Sequence, residues 1–553
     1  MACSSEPTTR KRCLALFLIL VLAAFLSAQA PAPQKADSAK ANPDYRISPA
    51  EAQKLLRSVD SILEFDSQAS GLRQRSKVKR ALAGRDQVER YVADRIRDDE
   101  DAQRLQRGAA VLKKFGLLPR DFALESFLVE LLKEQVAGYY DTKTRTVYML
   151  DWVTPETQQP VLAHELTHAL QDQNFGLEKW IKQADAGGNR AYKDIVADEA
   201  IAARHAAVEG QAMAVMIDFL LAPTGGSLVN SPMITEALQH GMLEGAEAQS
   251  PVLRRAPLYI RQLLMFPYTY GLDFIRELLV NRGKEGAYAG VFANPPHSTR
   301  QVMEPATYLS GEQLAPLTPP DLDAVVGPGY ERYDVGSVGE FDVSVIVQQF
   351  GGEGTQAKAE RAPGEPDGKA PAKPPLWTHW RGGYYYAARR KNAASGQIAM
   401  VYVSRWATLE AAGEFATIYR RSIPKRYTGV TDLAAQSTRL DPTKPATGAP
   451  SLTLNGTPPA PSTEPECGCE EHAAGSSRTS FSTSEGPVSV EVKGNLVLAT
   501  ESFDPLTAAK LRTSILAVSV QPAHAASGTR KVSSDRLRSL NRMALRPAVS
   551  AAK

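Results

Sequence analysis

Cysteine is nearly absent from this chain: there are 4 in 553 residues, and Cys3 and Cys13 fall at the extreme N-terminus. That excludes a disulfide framework of the kind that holds small secreted domains together. The other two, in Glu466-Cys467-Gly468-Cys469-Glu470, lie in a Pro/Ser/Thr/Gly-rich stretch with no matching second pair. They read as a flexible loop with a local disulfide or free thiols, not as a metal site. An excess of charge of either sign is also lacking. With 64 Lys+Arg against 61 Asp+Glu the net charge is +3, which removes the usual footprint of a nucleic-acid-binding protein. Beyond the N-terminus no run looks long and apolar enough to span a membrane.

The one apolar run covers residues 13–28, behind Arg10-Lys11-Arg12 and before the small-residue site Ala28-Gln29-Ala30. This is the pattern of a signal peptide, so export is expected: periplasmic, secreted, or anchored to the membrane by residues 1–30. Pro31 would directly follow the cut and suits a signal peptidase poorly, so retention as an anchor is the alternative. No cysteine ends the run, which argues against a lipoprotein.

Histidine is scarce, at 8 residues, yet two of them stand in His164-Glu165-Leu166-Thr167-His168. On a helix, positions four apart share a face one turn apart, so both imidazoles reach a single metal ion, and the intervening carboxylate can take a proton from a metal-bound water. The context favours a helix. Thr154-Pro155-Glu156 gives a cap, a first-position proline and an early acid, and Val161, Leu162, Leu166, Ala169 and Leu170 follow at helical spacing to about Asn174, before Gly176. Upstream, residues 134–140 and 146–150 read as two strands joined by the short connection 141–145.

A hairpin leading into an H-E-x-x-H helix is the order found in zincin metallopeptidases, which this chain resembles here. The third histidine of the metzincin variant is missing, because residues 171–176 contain none. A second helical segment, residues 194–221, resembles the gluzincin plan, in which a later glutamate completes the zinc site. Glu209 is favoured. The segment after it, Ala212-Met213-Ala214-Val215-Met216-Ile217, is apolar nearly all round and must be buried, so an acid at its edge needs a cationic partner. Asp198 and Glu199 are the rivals. Asp198, His205 and Glu209 share one helical face, so His205 or Asp198 is a candidate to orient a ligand. More broadly, residues 88–180 resemble a group of uncharacterised bacterial exported proteins with a gluzincin-like core. The resemblance is carried by residues 112–119, 135–141 and 164–173, and extends to Ala206-Ala207-Val208-Glu209-Gly210 and Pro295-Pro296-His297-Ser298-Thr299.

The expected architecture is α+β: a mostly helical zincin-like core with a small antiparallel sheet, and a small C-terminal α+β domain. Residues 31–47 read as a linker, 48–133 as a helical region, 134–310 as the H-E-x-x-H core, 311–350 as a connecting segment and 351–375 as a disordered insert. Residues 376–520 form the C-terminal domain, in the order ββα…ββα around a disordered loop at 436–477. A basic disordered tail fills 521–553. The expected function is zinc-dependent hydrolysis of a peptide or protein substrate, with no nucleic-acid partner and no membrane contact beyond the N-terminal anchor. His164, His168 and Glu209 are the metal ligands and Glu165 is the general base. Tyr268, Tyr270, His297 and Arg300 are candidates for the side chain that binds the oxyanion, with Tyr270 and His297 carried forward as catalytic. The strand at 138–140 is a candidate edge for an extended substrate. Two alternatives stand beside this: a non-catalytic zinc-binding interaction module, and a metal hydrolase of a non-peptide bond.

Overall fold

The computed structural model describes residues 45–519 apart from 97–98, 136–137, 184–189, 234–236, 238–249, 353–373, 392–396 and 434–475. The targeting segment, the Cys467/Cys469 pair, the basic tail and nearly all of the 351–375 insert and the 436–477 loop lie outside the described residues.

The chain is α+β, with the helical period deciding most of its first half. In the helix Pro49–Ser70, Leu55, Val59, Ile62 and Leu63 recur at core spacing and are buried. Its start is a capping box: Ser48 Oγ accepts from the Glu51 amide at 3.3 Å, and Glu51 accepts from the Ser48 amide at 2.8 Å. Helices Arg85–Ile96, Asp99–Phe115 and Leu124–Gln135 follow. The last of these takes Glu134 and Gln135, which the sequence placed in a strand. Leu124, Leu128 and Leu131 continue a buried helical stripe that outweighs the local strand signal.

Strand β1 (Lys79–Ala83) interrupts the region read as wholly helical. It joins the hairpin of β2 (Gly138–Asp141) and β3 (Thr146–Leu150) in the order β1-β3-β2. The β2–β3 pair is antiparallel as expected, but β1 runs parallel to β3, so the small sheet is mixed. Behind it lie the motif helix Pro155–Phe175 and the long helix Arg190–Leu221. By length and composition the stretch Ile195–Thr224 could cross a membrane, which the sequence reading passed over. In the fold 72% of its most apolar window is buried by protein.

The second sheet has seven strands, all antiparallel. They are β4 (Tyr330–Ser337), β5 (Trp380–Arg390), β6 (Ile398–Trp406), β7 (Thr431–Asp432), β8 (Ser476–Thr483), β9 (Gly486–Lys493) and β10 (Leu496–Glu501), in the order β4-β5-β6-β10-β9-β8-β7. The expected β5–β6 and β9–β10 pairs are present, with helices Leu409–Arg426 and Pro505–Ser519 after them. The segment 311–350 is more than a connection, since it supplies β4 and the helix Glu340–Phe350.

This sheet is fastened to the helical body. Leu55, Leu166 and Ile217 share one hydrophobic cluster with Tyr402, Trp406 and Val490. Lys114, fully buried, donates to Glu485 at 2.8 Å and to Ser502 Oγ at 2.7 Å. Arg426 pairs with both oxygens of Glu501, at 2.8 and 3.3 Å, and donates to the Lys114 carbonyl at 2.6 Å. Gly116, at φ +74°, lets the chain turn there, where a Cβ would strike the Arg426 side chain.

Candidate metal centre

The motif helix begins at Pro155 and ends at Gly176, whose φ is 66°, as its sequence signals predict. Gln158 ties it to the sheet: its carbonyl accepts from the Leu150 amide at 2.7 Å, and its amide donates to the Leu150 and Val153 carbonyls. The bond of the helix to β3 thus fixes the height at which the next turns, bearing His164 and His168, meet the long helix.

There the two histidines converge on Glu209. His164 Nε2 lies 3.2 Å from Glu209 Oε2, His168 Nε2 lies 3.5 Å from the same oxygen, and the two Nε2 atoms are 3.0 Å apart. A tetrahedral ion with bonds of about 2.0–2.1 Å holds its ligand atoms about 3.3 Å apart, so these three atoms outline one face of such a site. All three side chains are at most 4% exposed. Three lone-pair-bearing atoms at this spacing, out of contact with water, repel unless a cation stands among them. The donor set therefore fits a metal ion, and this buried His/His/Glu group could bind one. In the protein alone a proton takes up part of that role. Burial works against charging His168, yet the Glu209 carboxylate lifts it to about 9. Burial would raise Glu209, but His168 and His164 bring it down to about 2. His164 is lowered by burial.

Glu165 lies against the small sheet. Its Oε2 accepts the Tyr140 amide at 2.8 Å, while Oε1 is buried without a hydrogen-bond partner among the described residues. Burial pushes it up to about 8. In an antiparallel ladder the N–H and C=O of one residue point the same way, so the Tyr140 bond to Glu165 turns that residue's main chain to the side away from β3. Glu165 thus sits on the outer edge of β2. That edge is not open to solvent, as the sequence reading supposed: every residue of β2 is buried.

A relay of amides sets the tautomer of His168. Its Nδ1–H donates to Gln171 Oε1 at 2.8 Å, so Nε2, facing Glu209 and His164, is the nitrogen that gives up its proton when a metal binds. Gln171 Nε2 donates to the Val208 carbonyl and to Gln211 Oε1, and Gln211 Nε2 donates to the Ala287 and Tyr288 carbonyls. The ligand is thereby braced by three helices. His164 Nδ1, in contrast, is buried without a hydrogen-bond partner among the described residues.

A π-helical turn, Pro267–Gly271, crosses the long helix at Gly210. The two glycines meet main chain to main chain: a Cβ on Gly210 would collide with the Gly271 carbonyl, and one on Gly271 with the Ala206 carbonyl. The turn carries Tyr268 to the site, with its ring 6.4 Å from that of His164. Burial, with Glu209 and Glu165 adding to it, holds the Tyr268 hydroxyl protonated well above its ordinary range.

The other candidates are not brought to this group. Tyr270 leaves the same turn in another direction, its ring 5.5 Å from that of Phe266 and its hydroxyl facing the charges of Glu340 and Asp273. His297 is exposed, and the charge that bears on it is the Arg204 guanidinium. Arg300 is taken up by Glu304, Glu312, Glu340 and the Thr378 carbonyl. Glu199 accepts from the amide and hydroxyl of Thr299 at 3.0 and 2.9 Å, and so is turned away from the two histidines. His205 does lie beside the ligands. Burial pushes it down to about 4, with Glu209 and His168 among its charged neighbours. Sequence reasoning missed Gln171, Gln211 and the Tyr140 amide. Only Gln171, three residues after His168, carried a local signal. No protein-family model, curated protein or solved structure matches this chain.

Proposed function

We propose that the chain is an exported zinc-dependent metallopeptidase with a gluzincin-like core. The observation that carries the reading is the buried convergence of His164, His168 and Glu209 beside a carboxylate, Glu165, that has one anchored and one unpartnered oxygen. Zinc held by those three side chains supplies a Lewis acid that acidifies a water and polarises the scissile carbonyl. Glu165 takes the proton of the attacking water on Oε1 and passes it to the leaving amine. The Tyr140 amide holds the carboxylate in place during both transfers. Tyr268 donates its hydroxyl hydrogen to the oxygen on which negative charge develops.

The test is metal analysis of the mature protein together with cleavage of a diverse peptide library. Wild type should carry one zinc per chain and hydrolyse peptides. Glu165→Gln should retain the zinc and lose hydrolysis, since the amide keeps the size but cannot accept the proton. The double variant His164→Ala, His168→Ala should lose the metal. Equal inertness of metal-loaded wild type and Glu165→Gln would reject the peptidase and leave a non-catalytic metal protein.

A further inference from the structure

The face of the long helix that carries Glu209 continues toward its N-terminus along a cavity. His205, Ile201 and Asp198 precede Glu209 by four, eight and eleven positions, and on a helix the offsets of four and eleven return to nearly the same direction. All three line a cavity of about 210 Å³. That is more than the roughly 150 Å³ that admits a benzene ring. His205 is the residue shared with the metal centre: it faces Glu209 and His168 on one side and lines the cavity on the other. It is 5% exposed, and its Nε2 has no hydrogen-bond partner among the described residues.

The lining is divided by chemistry. Val111, Leu112, Leu263, Leu264 and Ile346 give an apolar wall. The carboxyl-bearing side chains of Asp198, Glu199, Asp334 and Asp342 line the cavity as well, with no lysine or arginine among the described lining residues. Asp334 accepts from the Tyr385 hydroxyl at 2.8 Å and lies 3.9 Å from the Arg107 guanidinium. The end of β4 and the loop after it leave room for these acids: a Cβ at Gly339 would land on the Glu199 carboxylate, and one at Gly336 would lie 2.7 Å from Asp198 Oδ2. Burial pushes Glu199 up to about 8, so it holds its proton at neutral pH, while Asp342, which accepts from the Gly339 amide and the Tyr259 hydroxyl, is pushed only to about 6. A buried acid kept in a cavity at that cost needs a counter-charge to ionise.

We propose that this cavity is a specificity pocket for a basic, long-stemmed side chain, lysine or arginine, of the polypeptide handled at the metal centre. The stem lies along Leu112, Leu263 and Leu264, and the cationic head lies among Asp198, Glu199 and Asp342, with His205 at the end nearer the metal. That the occupant is a substrate side chain rests on the peptidase reading; the cation-binding character of the cavity does not.

The test uses the mature full-length protein and two probes of equal length, n-pentylamine and 1-pentanol, titrated by calorimetry. Pentylamine should bind saturably and at least tenfold more tightly than pentanol, and Glu199→Gln should remove that preference. Gly108→Phe should abolish binding of both probes while leaving metal content unchanged. Gly108 lines the cavity, and a Cβ there meets nothing within 4 Å, so the ring fills the space without disturbing the helix. In a peptide library the wild type should prefer lysine or arginine over norleucine tenfold or more at one subsite, and Glu199→Gln should lose the preference. Pentanol binding as tightly as pentylamine, or no saturable binding of the amine, overturns the pocket. Amine binding without hydrolysis of any peptide keeps the cation pocket and rejects the peptidase. Hydrolysis without basic preference or amine binding does the reverse.

Discussion

Gly210→Ala tests whether the metal centre depends on the main-chain contact between the long helix and the π-helical turn. A Cβ at this position would lie 3.0 Å from the Leu272 nitrogen and closer still to the Gly271 carbonyl. Carbon contacts are comfortable at roughly 3.5 Å or more, so relief requires a displacement on the order of 1 Å. No flexible side chain is available to give way, because the obstacle is backbone. Overpacking of this kind costs typically about 1–3 kcal/mol. Against it stands the better helix propensity of alanine, worth about 1 kcal/mol. The net expectation is a loss of stability of up to roughly 2 kcal/mol, at most a few degrees of melting temperature. The larger effect falls on the site. Glu209 is the adjacent residue, and a ligand constellation tolerates only about 0.5 Å of misplacement. Metal affinity should therefore fall roughly tenfold or more. The assay is a metal titration paired with a thermal melt of metal-free protein. Gly108→Ala serves as control: it adds the same methyl group to a helix where a Cβ meets nothing within 4 Å, and should leave both readouts unchanged or slightly improved. If Gly210→Ala binds metal and melts as wild type does, the two backbones do not approach as closely as described and the argument fails.

Gln171→Leu removes the acceptor of His168 Nδ1–H and should weaken metal roughly 10- to 100-fold, with the metal-binding side chains themselves intact; an unchanged affinity would show that the relay does not orient His168. Tyr268→Phe should lower kcat by about 10²–10³ with little change in KM, while Tyr270→Phe should have little effect on either; the reverse pattern would move the donor role to Tyr270. Asp66 is fully buried with both oxygens lacking hydrogen-bond partners among the described residues, and burial raises it well above the ordinary 3.8. The folded protein then binds more protons than the unfolded one, so this group favours folding most below its unfolded value and progressively less as pH rises toward its folded pKa. Wild type should lose stability relative to Asp66→Asn as pH climbs from about 4 toward neutrality, read by denaturant unfolding at several pH values; a pH-independent difference would mean the carboxyl is paired.

What was legible in the sequence is what local chemistry decides. Thr154, Pro155 and Gly176 bound the motif helix because capping acts within a turn. Glu209 could be chosen over Glu199 because the apolar run that follows must be buried and an unpaired acid at its edge is costly; that Glu199 is held instead by hydrogen bonds from Thr299, 100 positions away, no local pattern reveals. Strand β1 was hidden because Lys79-Arg80-Ala81-Leu82-Ala83 has no β-branched residue, and only its non-local pairing with β3 makes it a strand. β8 was hidden similarly, in a Ser/Thr-rich stretch that is extended because β9 lies beside it. Tyr270 was carried forward ahead of Tyr268, and a π-helical turn, which no residue pattern announces, puts Tyr268 beside the histidines instead.

The fastening of the sheet to the helical body makes the order of synthesis matter. Lys114 and Glu485 are 371 positions apart, and Arg426 lies 312 positions beyond the Lys114 carbonyl that it bonds. A chain halted before Glu485 has made both histidines and Glu209, yet the ammonium of Lys114 would lack the counter-charge at Glu485 that accompanies its burial in the finished fold. The ligand-bearing half therefore cannot complete its own packing as it emerges. A chain cut before Glu485 should therefore bind metal less tightly and melt lower than the full chain, read by metal titration and thermal melt of the two.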